Sequence, residues 1–165
     1  DTRALVSTGR IFKTNLSVVK SVINSNDKRT NLLLNKISKI MNNKIKNKNI
    51  TFLGVTFKPG TDDMRESSSL KMIPSLIRKG AHVNYYEPTG KKKELKSKNI
   101  NFSENIKDAC KNADLIIIHT EWNEFKQLNF KKITKKRNFK VFDMRNLYST
   151  SEMKKNKINY FSIGR

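Results

Sequence analysis

Two cations lie in the polar segment 54–69, which follows a short apolar run. They are Lys58 and Arg65, and the segment also carries a Pro-Gly pair and three consecutive serines. Cations and free amides between a strand and a helix suit a bound diphosphate, because each charge-assisted hydrogen bond contributes about 1.5 to 3 kcal/mol. A second interpretation stays open, in which the segment is a plain turn and Arg65 pairs with Asp62 or Asp63.

A third cation, Arg145, follows another short apolar run, residues 140–142. If both runs are strands of one parallel sheet, Lys58, Arg65 and Arg145 converge on its carboxyl edge, where ligand sites of such sheets lie. The segment around Lys58 contains neither G-x-G-x-x-G nor a P-loop, so it belongs to neither of those phosphate-binding motifs.

The remaining reactive residue types point to packing. Cys110 is the single cysteine, which excludes an internal disulfide, and its place between a helix and an apolar run asks for a small buried residue. His82 and His119 are far apart and lack carboxylates at metal-ligand spacing. We therefore interpret both histidines as packing or surface residues and propose no metal site.

A long amphipathic helix is predicted over residues 15–42, because apolar residues recur at spacings of three and four. These residues are Leu16, Val19, Val22, Ile23, Leu33, Ile37, Ile40 and Met41. Residues 24–27 are poor in helix formers, so a kink or a break there is an alternative. A helix of about 40 Å must pack on something, and we expect it to form a homodimer surface as well as to cover the next domain.

After residue 48, short apolar runs alternate with helical patterns. We predict strands at residues 50–55, 83–86, 113–119 and 140–142, and helices at 68–79 and from Ser103 or Glu104. This alternation predicts an α/β fold with a Rossmann-like, doubly wound parallel sheet, preceded by the long helix. We accordingly expect residues 1–48 to be a central helical, dimer-forming segment and residues 49–165 to be the sheet domain.

The composition is strongly basic, with 35 Lys and Arg against 14 Asp and Glu and a formal charge of +21. That charge would fit a nucleic-acid-binding module. We favour general compositional drift instead, because the lysines are spread over the chain in short runs typical of solvated surfaces. The sequence has neither a long apolar stretch nor a signal-peptide core, so a cytoplasmic protein is expected.

Several segments resemble the UDP-glucose and GDP-mannose dehydrogenase family. The run FKPGTDDMRESSS, residues 57–69, is similar to that family's signature loop. Residues 1–5 resemble the stretch after the family's G-x-C-F-P-K nucleophile motif. The other similar segments follow in the family's order and are residues 24–29, 120–125 and 142–148 and the terminal YFSIGR.

The family oxidises the primary alcohol of a nucleotide-linked sugar to a carboxylate, using two NAD molecules and a cysteine thiohemiacetal. The resemblance implies that Asp1 helps to activate the hydrolytic water, that Lys58 and Arg145 bind the UDP-sugar, and that Arg65 contacts the NAD pyrophosphate. It also implies that the nucleophile and the main NAD-binding domain precede residue 1 in a longer protein. We therefore expect this chain to be the UDP-sugar-binding part, inactive by itself.

Three positions depart from the family pattern. Met144 stands where the family often has Gly, Glu87 replaces a more usual Asp, and Ser68 occupies a common Pro position. These changes affect substrate identity more than fold, and they leave a GDP-mannose or UDP-N-acetylmannosamine dehydrogenase as the alternative within the family. A free-standing nucleotide-binding protein is a further alternative.

Overall fold

The computed structural model describes residues 2–164, so the predicted catalytic Asp1 lies outside the described residues. The helices are α1 (Thr2–Ile11), α2 (Ser17–Ile40), α3 (Ser69–Arg78), α4 (Ile106–Cys110), α5 (Phe130–Ile133) and α6 (Thr150–Lys155). The strands are β1 (Asn49–Leu53), β2 (His82–Tyr86), β3 (Ile100–Phe102), β4 (Leu115–Ile118), β5 (Lys140–Asp143) and β6 (Asn159–Ser162). A short 3₁₀ turn covers Asn123–Phe125.

The six strands form one parallel sheet in the order β3-β2-β1-β4-β5-β6. This confirms the predicted Rossmann-like α/β fold, and the order reverses between β1 and β4. Strand β4, one of the two central strands, has the sequence Leu-Ile-Ile-Ile and is buried along its whole length, as expected of a parallel strand covered on both faces. A ligand crevice is expected beyond the carboxyl ends of β1 and β4.

The described residues form two compact units that divide after Lys36. In the first unit, α1 and α2 are joined by an exposed ion pair of 2.6 Å between Arg3 Nη2 and Asp27 Oδ1. Helix α2 is unbroken through residues 24–27, so the predicted alternative of a break there is wrong. No helix of residues 2–164 is long and apolar enough to span a membrane.

The first unit exposes several large apolar side chains, which are Leu5, Ile11, Phe12, Val18, Val22 and Leu32. Such side chains on a helical surface are compatible with a protein partner. The homodimer through residues 15–42 and the functional division at residue 48 stay predictions.

Several short elements were not predicted from the sequence, among them α1, α5, α6 and the two edge strands β3 and β6. The predicted start of α4 at Ser103 or Glu104 is wrong. The helix begins at Ile106, because the Asn105 side chain accepts a hydrogen bond of 2.8 Å from the backbone N–H of Asp108 and caps it.

Candidate functional site

The predicted ligand-binding residues follow the carboxyl ends of two strands. Lys58 lies five residues after β1 and Arg145 two residues after β5, on either side of β4. Arg65 lies in the same connection as Lys58, shortly before α3. The parallel sheet therefore brings the segments that carry all three cations to one edge, as the sequence predicted.

Glu87 anchors the start of the loop that carries Lys58. Its side chain is buried, and its Oε2 accepts hydrogen bonds from the backbone N–H groups of Val55 at 2.7 Å and Thr56 at 3.2 Å. Its Oε1 accepts a further hydrogen bond of 3.1 Å from the Thr89 hydroxyl. From the sequence, Glu87 is only a replacement for Asp, whereas in the structure its carboxylate holds the exits of β1 and β2 together.

The tip of this loop presents an exposed cation beside an exposed aromatic ring. The side chains of Lys58 and Phe57 both face solvent, and Phe57 is 49% exposed. The backbone N–H of Phe57 donates a hydrogen bond of 2.9 Å to the carbonyl oxygen of Asp63, which closes the loop. Within residues 2–164 the Lys58 ammonium forms no salt bridge, so it can meet an anionic ligand without first losing a carboxylate partner.

Arg65 is paired with Asp63, which is the second interpretation of the sequence. The guanidinium Nη2 lies 2.9 Å from Asp63 Oδ2, and the backbone N–H of Arg65 donates to Asp63 Oδ1 at 2.8 Å. Hydrogen bonds from Arg65 lower the pKa of Asp63, and the same side-chain hydrogen bond raises the pKa of Arg65. The Arg65 side chain is 89% exposed, so this surface pair is weak and the guanidinium remains accessible to a ligand.

Arg145 is held between the ends of β4 and β5. Its Nε donates a hydrogen bond of 2.6 Å to the carbonyl oxygen of His119 and lies 2.9 Å from Glu121 Oε2. Nε carries one hydrogen, which it donates to His119 O, so its contact with Glu121 is an ion pair without a hydrogen bond. Glu121 Oε2 and the neighbouring Trp122 Nε1 are buried and have no hydrogen-bond partner among residues 2–164. Two unsatisfied polar atoms therefore occur in the segment that contacts Arg145.

Asp143 shapes the turn that presents Arg145. Its carboxylate is fully buried, with Oδ1 accepting from the Arg145 backbone N–H at 2.9 Å. Its Oδ2 accepts from the Tyr148 backbone N–H at 3.1 Å and from the Tyr160 hydroxyl at 2.9 Å. This role of Asp143 was not predicted from the sequence, although an Asp at the end of an apolar strand could have suggested it.

His119 is a buried, neutral hydrogen-bonding residue. Its Nδ1 lies 3.0 Å from Thr120 Oγ1 and its Nε2 lies 2.8 Å from Ser68 Oγ. The Thr120 hydroxyl donates its hydrogen to the carbonyl oxygen of Thr56 at 2.9 Å. Nδ1 must then carry the proton that Thr120 accepts, and the bare Nε2 accepts from Ser68.

Burial lowers the pKa of His119 to about 3, with a smaller contribution from the charge of Arg145. His119 is buried and His82 is exposed, which agrees with the prediction that both are packing or surface histidines. Residues 2–164 contain no group of three or more His, Cys, Asp or Glu that could hold a metal ion.

Gly54 allows β1 and β4 to exit close together. It has φ of +76°, and a Cβ at this position would lie 2.6 Å from the Thr120 Cβ, where atoms overlap. The hydroxyl of the same threonine reaches Thr56 O, as described above. Gly54 and Thr120 thus lie in close contact where the strand order reverses, which leaves no room for a ligand between them.

Cys110 lies at the end of α4 and is fully buried in an apolar cluster of the sheet domain. Burial raises the pKa of its thiol to about 12. The thiol is therefore protonated at neutral pH, and the structural role that we predicted for this cysteine agrees with its position.

The sequence profile of the UDP-glucose/GDP-mannose dehydrogenase family, UDP binding domain, matches residues 51–150. The chain belongs to this family. The matched range includes Lys58, Arg65, Glu87, His119 and Arg145, and so contains the described site.

Relatives in the family support this assignment over almost the whole chain. A UDP-glucose 6-dehydrogenase of Rickettsia felis is 38% identical over 151 residues, which cover 89% of this chain and 34% of that protein. One from Rhizobium meliloti is 36% identical over 168 residues, with 100% of this chain and 38% of that protein covered. The chain thus spans about a third of the length of the relatives it matches.

A solved structure shows the same fold. The NDP-N-acetyl-D-galactosaminuronic acid dehydrogenase of Methanosarcina mazei superposes with a TM-score of 0.83 at 22% identity, covering 99% of this chain and 36% of that one. At this identity the likeness concerns the fold alone. Family membership rests on the sequence matches.

Proposed function

We propose that this chain is the UDP-sugar-binding part of an NAD-dependent UDP-glucose 6-dehydrogenase, which oxidises UDP-glucose to UDP-glucuronate. The observation that carries the proposal is the family match over residues 51–150. These residues include two cations, Lys58 and Arg145, in segments at the carboxyl edge of the parallel sheet. Relatives at 36% and 38% identity are UDP-glucose 6-dehydrogenases.

Lys58 and Arg145 are proposed to bind the diphosphate of the UDP-sugar. Lys58 has no salt bridge within residues 2–164, so it can approach a phosphate directly, and Phe57 beside it offers an aromatic face. Arg145 retains its Nη groups for a ligand while Nε is bonded to His119 O. Charge-assisted hydrogen bonds of this kind are shorter and stronger than neutral ones.

NAD, when bound, would accept hydride from the sugar carbinol. Arg65 fits contact with its pyrophosphate, because the guanidinium is exposed and its pairing with Asp63 is a surface interaction. Most of the NAD-binding surface is proposed to belong to a domain outside this chain, since residues 1–165 contain no G-x-G-x-x-G motif.

Catalysis is proposed to need a cysteine nucleophile that these 165 residues do not supply. Their single cysteine, Cys110, is buried and has a raised pKa, so it cannot form the thiohemiacetal. Asp1 is proposed to assist hydrolysis of the thioester intermediate beside that nucleophile. We further propose that this chain alone is inactive.

The enzyme is proposed to be a cytoplasmic homodimer whose subunits contact each other through residues 15–42. A functional boundary is proposed to lie near residue 48.

Calorimetric titration of UDP into the chain at near-physiological salt tests the proposal. Lys58→Ala and Arg145→Ala should each weaken binding by about tenfold or more, as expected for a lost charge-assisted hydrogen bond. Lys98→Ala, which removes an exposed cation just before β3, should leave the affinity within about twofold.

Two further titrations separate the competing functions. GDP binding tighter than UDP would favour a GDP-mannose dehydrogenase. A short DNA duplex that binds more tightly than either nucleotide, with a steep salt dependence, would favour the nucleic-acid-binding module suggested by the charge of +21. Unchanged UDP binding in both alanine variants would contradict the proposed site.

A further inference from the structure

A cavity of about 620 Å³ opens at the amino edge of the sheet, beside β5 and β6. It is formed by the segment that leads from α5 into β5 and by the segment that leads from α6 into β6. Both strands begin here, whereas Arg145 follows the end of β5, so the cavity lies at the opposite edge of the sheet from the proposed UDP-sugar site. None of the residues proposed to bind the UDP-sugar or NAD lines this cavity.

The cavity is lined chiefly by cations. Six of its ten lining residues are basic and none is acidic, the basic ones being Lys131, Lys135, Lys136, Arg137, Lys140 and Lys157. The chain as a whole has 35 basic residues in 165, which corresponds to roughly two in ten. The cavity is therefore about three times richer in cations than compositional drift alone would make it.

Two of these cations have partners within the protein. Lys136 Nζ forms an ion pair of 3.0 Å with Asp114 Oδ1, and Lys140 Nζ donates to the carbonyl oxygen of Ile40. The other four, Lys131, Lys135, Arg137 and Lys157, form no salt bridge within residues 2–164. Their like charges face one concave surface, which concentrates a positive potential there.

The backbone beneath these side chains is held in place. The Lys135 N–H donates to the carbonyl oxygen of Lys111 at 2.9 Å, and the Lys140 N–H donates to that of Asp114 at 3.0 Å. On the other wall, the Lys157 N–H donates to the carbonyl oxygen of Lys154 at 2.9 Å. The cations thus project from two anchored turns that are brought together by the pairing of β5 with β6.

We propose that this cavity binds a chain of two or more phosphate groups. Its volume is within the range of small-molecule sites, about 300 to 1,000 Å³, and exceeds what a single phosphate fills. The four cations that form no salt bridge within residues 2–164 match the several negative charges of a diphosphate or triphosphate. Lysine and arginine are the usual side chains that bind phosphate. Inorganic oligophosphate and the phosphates of a nucleotide share this chemistry.

The test is calorimetry of the 165-residue chain with inorganic tripolyphosphate, at near-physiological salt. The double variant Arg137→Gln with Lys157→Gln removes one cation from each wall of the cavity. The matched control, Lys96→Gln with Lys98→Gln, removes the same charge from exposed residues before β3, at the far side of the sheet. Circular dichroism and thermal unfolding establish that both variants fold.

We expect the cavity variant to weaken tripolyphosphate binding by about tenfold or more, and the control by less than about twofold. The cavity variant should leave UDP binding at the other edge of the sheet unchanged. This arm separates failure of this site from failure of the proposed UDP-sugar site.

Amide chemical shifts should respond to tripolyphosphate at residues 134–140 and 157–159. If a nucleoside triphosphate shifts the same amides and binds more tightly than tripolyphosphate, the phosphates belong to a nucleotide. If it binds equally or more weakly, the ligand is the inorganic ion. The proposal is overturned if the cavity and control variants lose affinity equally, because binding is then diffuse, or if tripolyphosphate does not bind.

Discussion

Arg145 Nε donates a hydrogen bond of 2.6 Å to the backbone carbonyl oxygen of His119, which links the exit of β5 to the exit of β4. The ring of His119 is bonded in turn to Ser68, directly before α3. The position of the Arg145 guanidinium thus depends on three segments that are far apart in sequence. A disturbance in any of them should be measurable as a change in ligand binding at Arg145.

Glu121→Gln should tighten UDP binding by roughly threefold, if Arg145 binds the diphosphate as proposed. Glu121 Oε2 lies 2.9 Å from Arg145 Nε, and its negative charge repels a diphosphate that approaches the same guanidinium. Calorimetry with UDP measures the effect. Glu124→Gln is the matched control, because Glu124 is exposed, follows the same strand and bonds to Tyr86 rather than to Arg145. Weaker binding in Glu121→Gln would mean that the carboxylate positions Arg145 more than it repels the ligand.

Stability should fall by about 2 kcal/mol through His119 alone between pH 7 and pH 5. Burial lowers the pKa of His119 to about 3, against 6.5 for an ordinary histidine. The unfolded chain therefore binds a proton that the folded chain does not, so this contribution is complete above pH 6.5 and is lost as the pH falls towards 3.

Urea unfolding at several pH values measures this dependence. His119→Asn should flatten it over pH 7 to 5, whatever its own stability, because the buried ring is gone. His82→Asn also removes one histidine, but an exposed one, and should keep the slope of the natural chain. Identical slopes in all three proteins would show that His119 is not buried as a neutral ring.

Gly54→Ala should destabilise the chain more than Gly60→Ala. Both glycines have positive φ, +76° and +74°, so alanine at either position costs about 1 to 2 kcal/mol of backbone strain. At Gly54 the new Cβ would also overlap Thr120 at 2.6 Å, adding about 1 to 3 kcal/mol, whereas nothing lies within 4 Å at Gly60. The difference in urea midpoint between the two variants measures the destabilisation that this overlap adds at Gly54. Equal midpoints would refute the close approach of β1 and β4 at this point.

Cys110 should resist thiol reagents in the folded chain at mildly alkaline pH. Burial raises its pKa to about 12, so the reactive thiolate is scarce and the sulfur is shielded. Ellman's reagent should detect no thiol until guanidinium chloride unfolds the protein. Ser25→Cys, at an exposed position of α2, provides a thiol that should react at once. Fast labelling of the natural chain would contradict the structural role of Cys110.

The fold was predictable because its signals are local. The apolar runs that became β1, β2, β4 and β5 are short and buried, and the helical pattern between β1 and β2 has the spacing of one packed face. Strands β3 and β6 escaped prediction because they are short edge strands, whose sequences carry polar residues on a partly exposed surface.

The candidate site was predictable only in part. The positions of Lys58 and Arg145 after strands could be inferred, since parallel strands end at one edge. The parts played by Glu87, Asp143 and Glu121 could not, because each acts on a segment 20 or more residues away or on a backbone group whose direction depends on the turn. For Arg65 the sequence left two interpretations, and the structure shows its side chain paired with Asp63.

The sequence by itself determined the order of β1, α3, β2, β4 and β5, the apolar pattern of α2 and the family to which the chain belongs, because these depend on residue types at fixed spacing. Tertiary structure decided which cations have partners, which tautomer His119 adopts and where six cations meet around one cavity. Those properties depend on the pairing of strands distant in sequence, above all β1 with β4 and β5 with β6. Spacing along the chain does not encode distances that sheet packing creates.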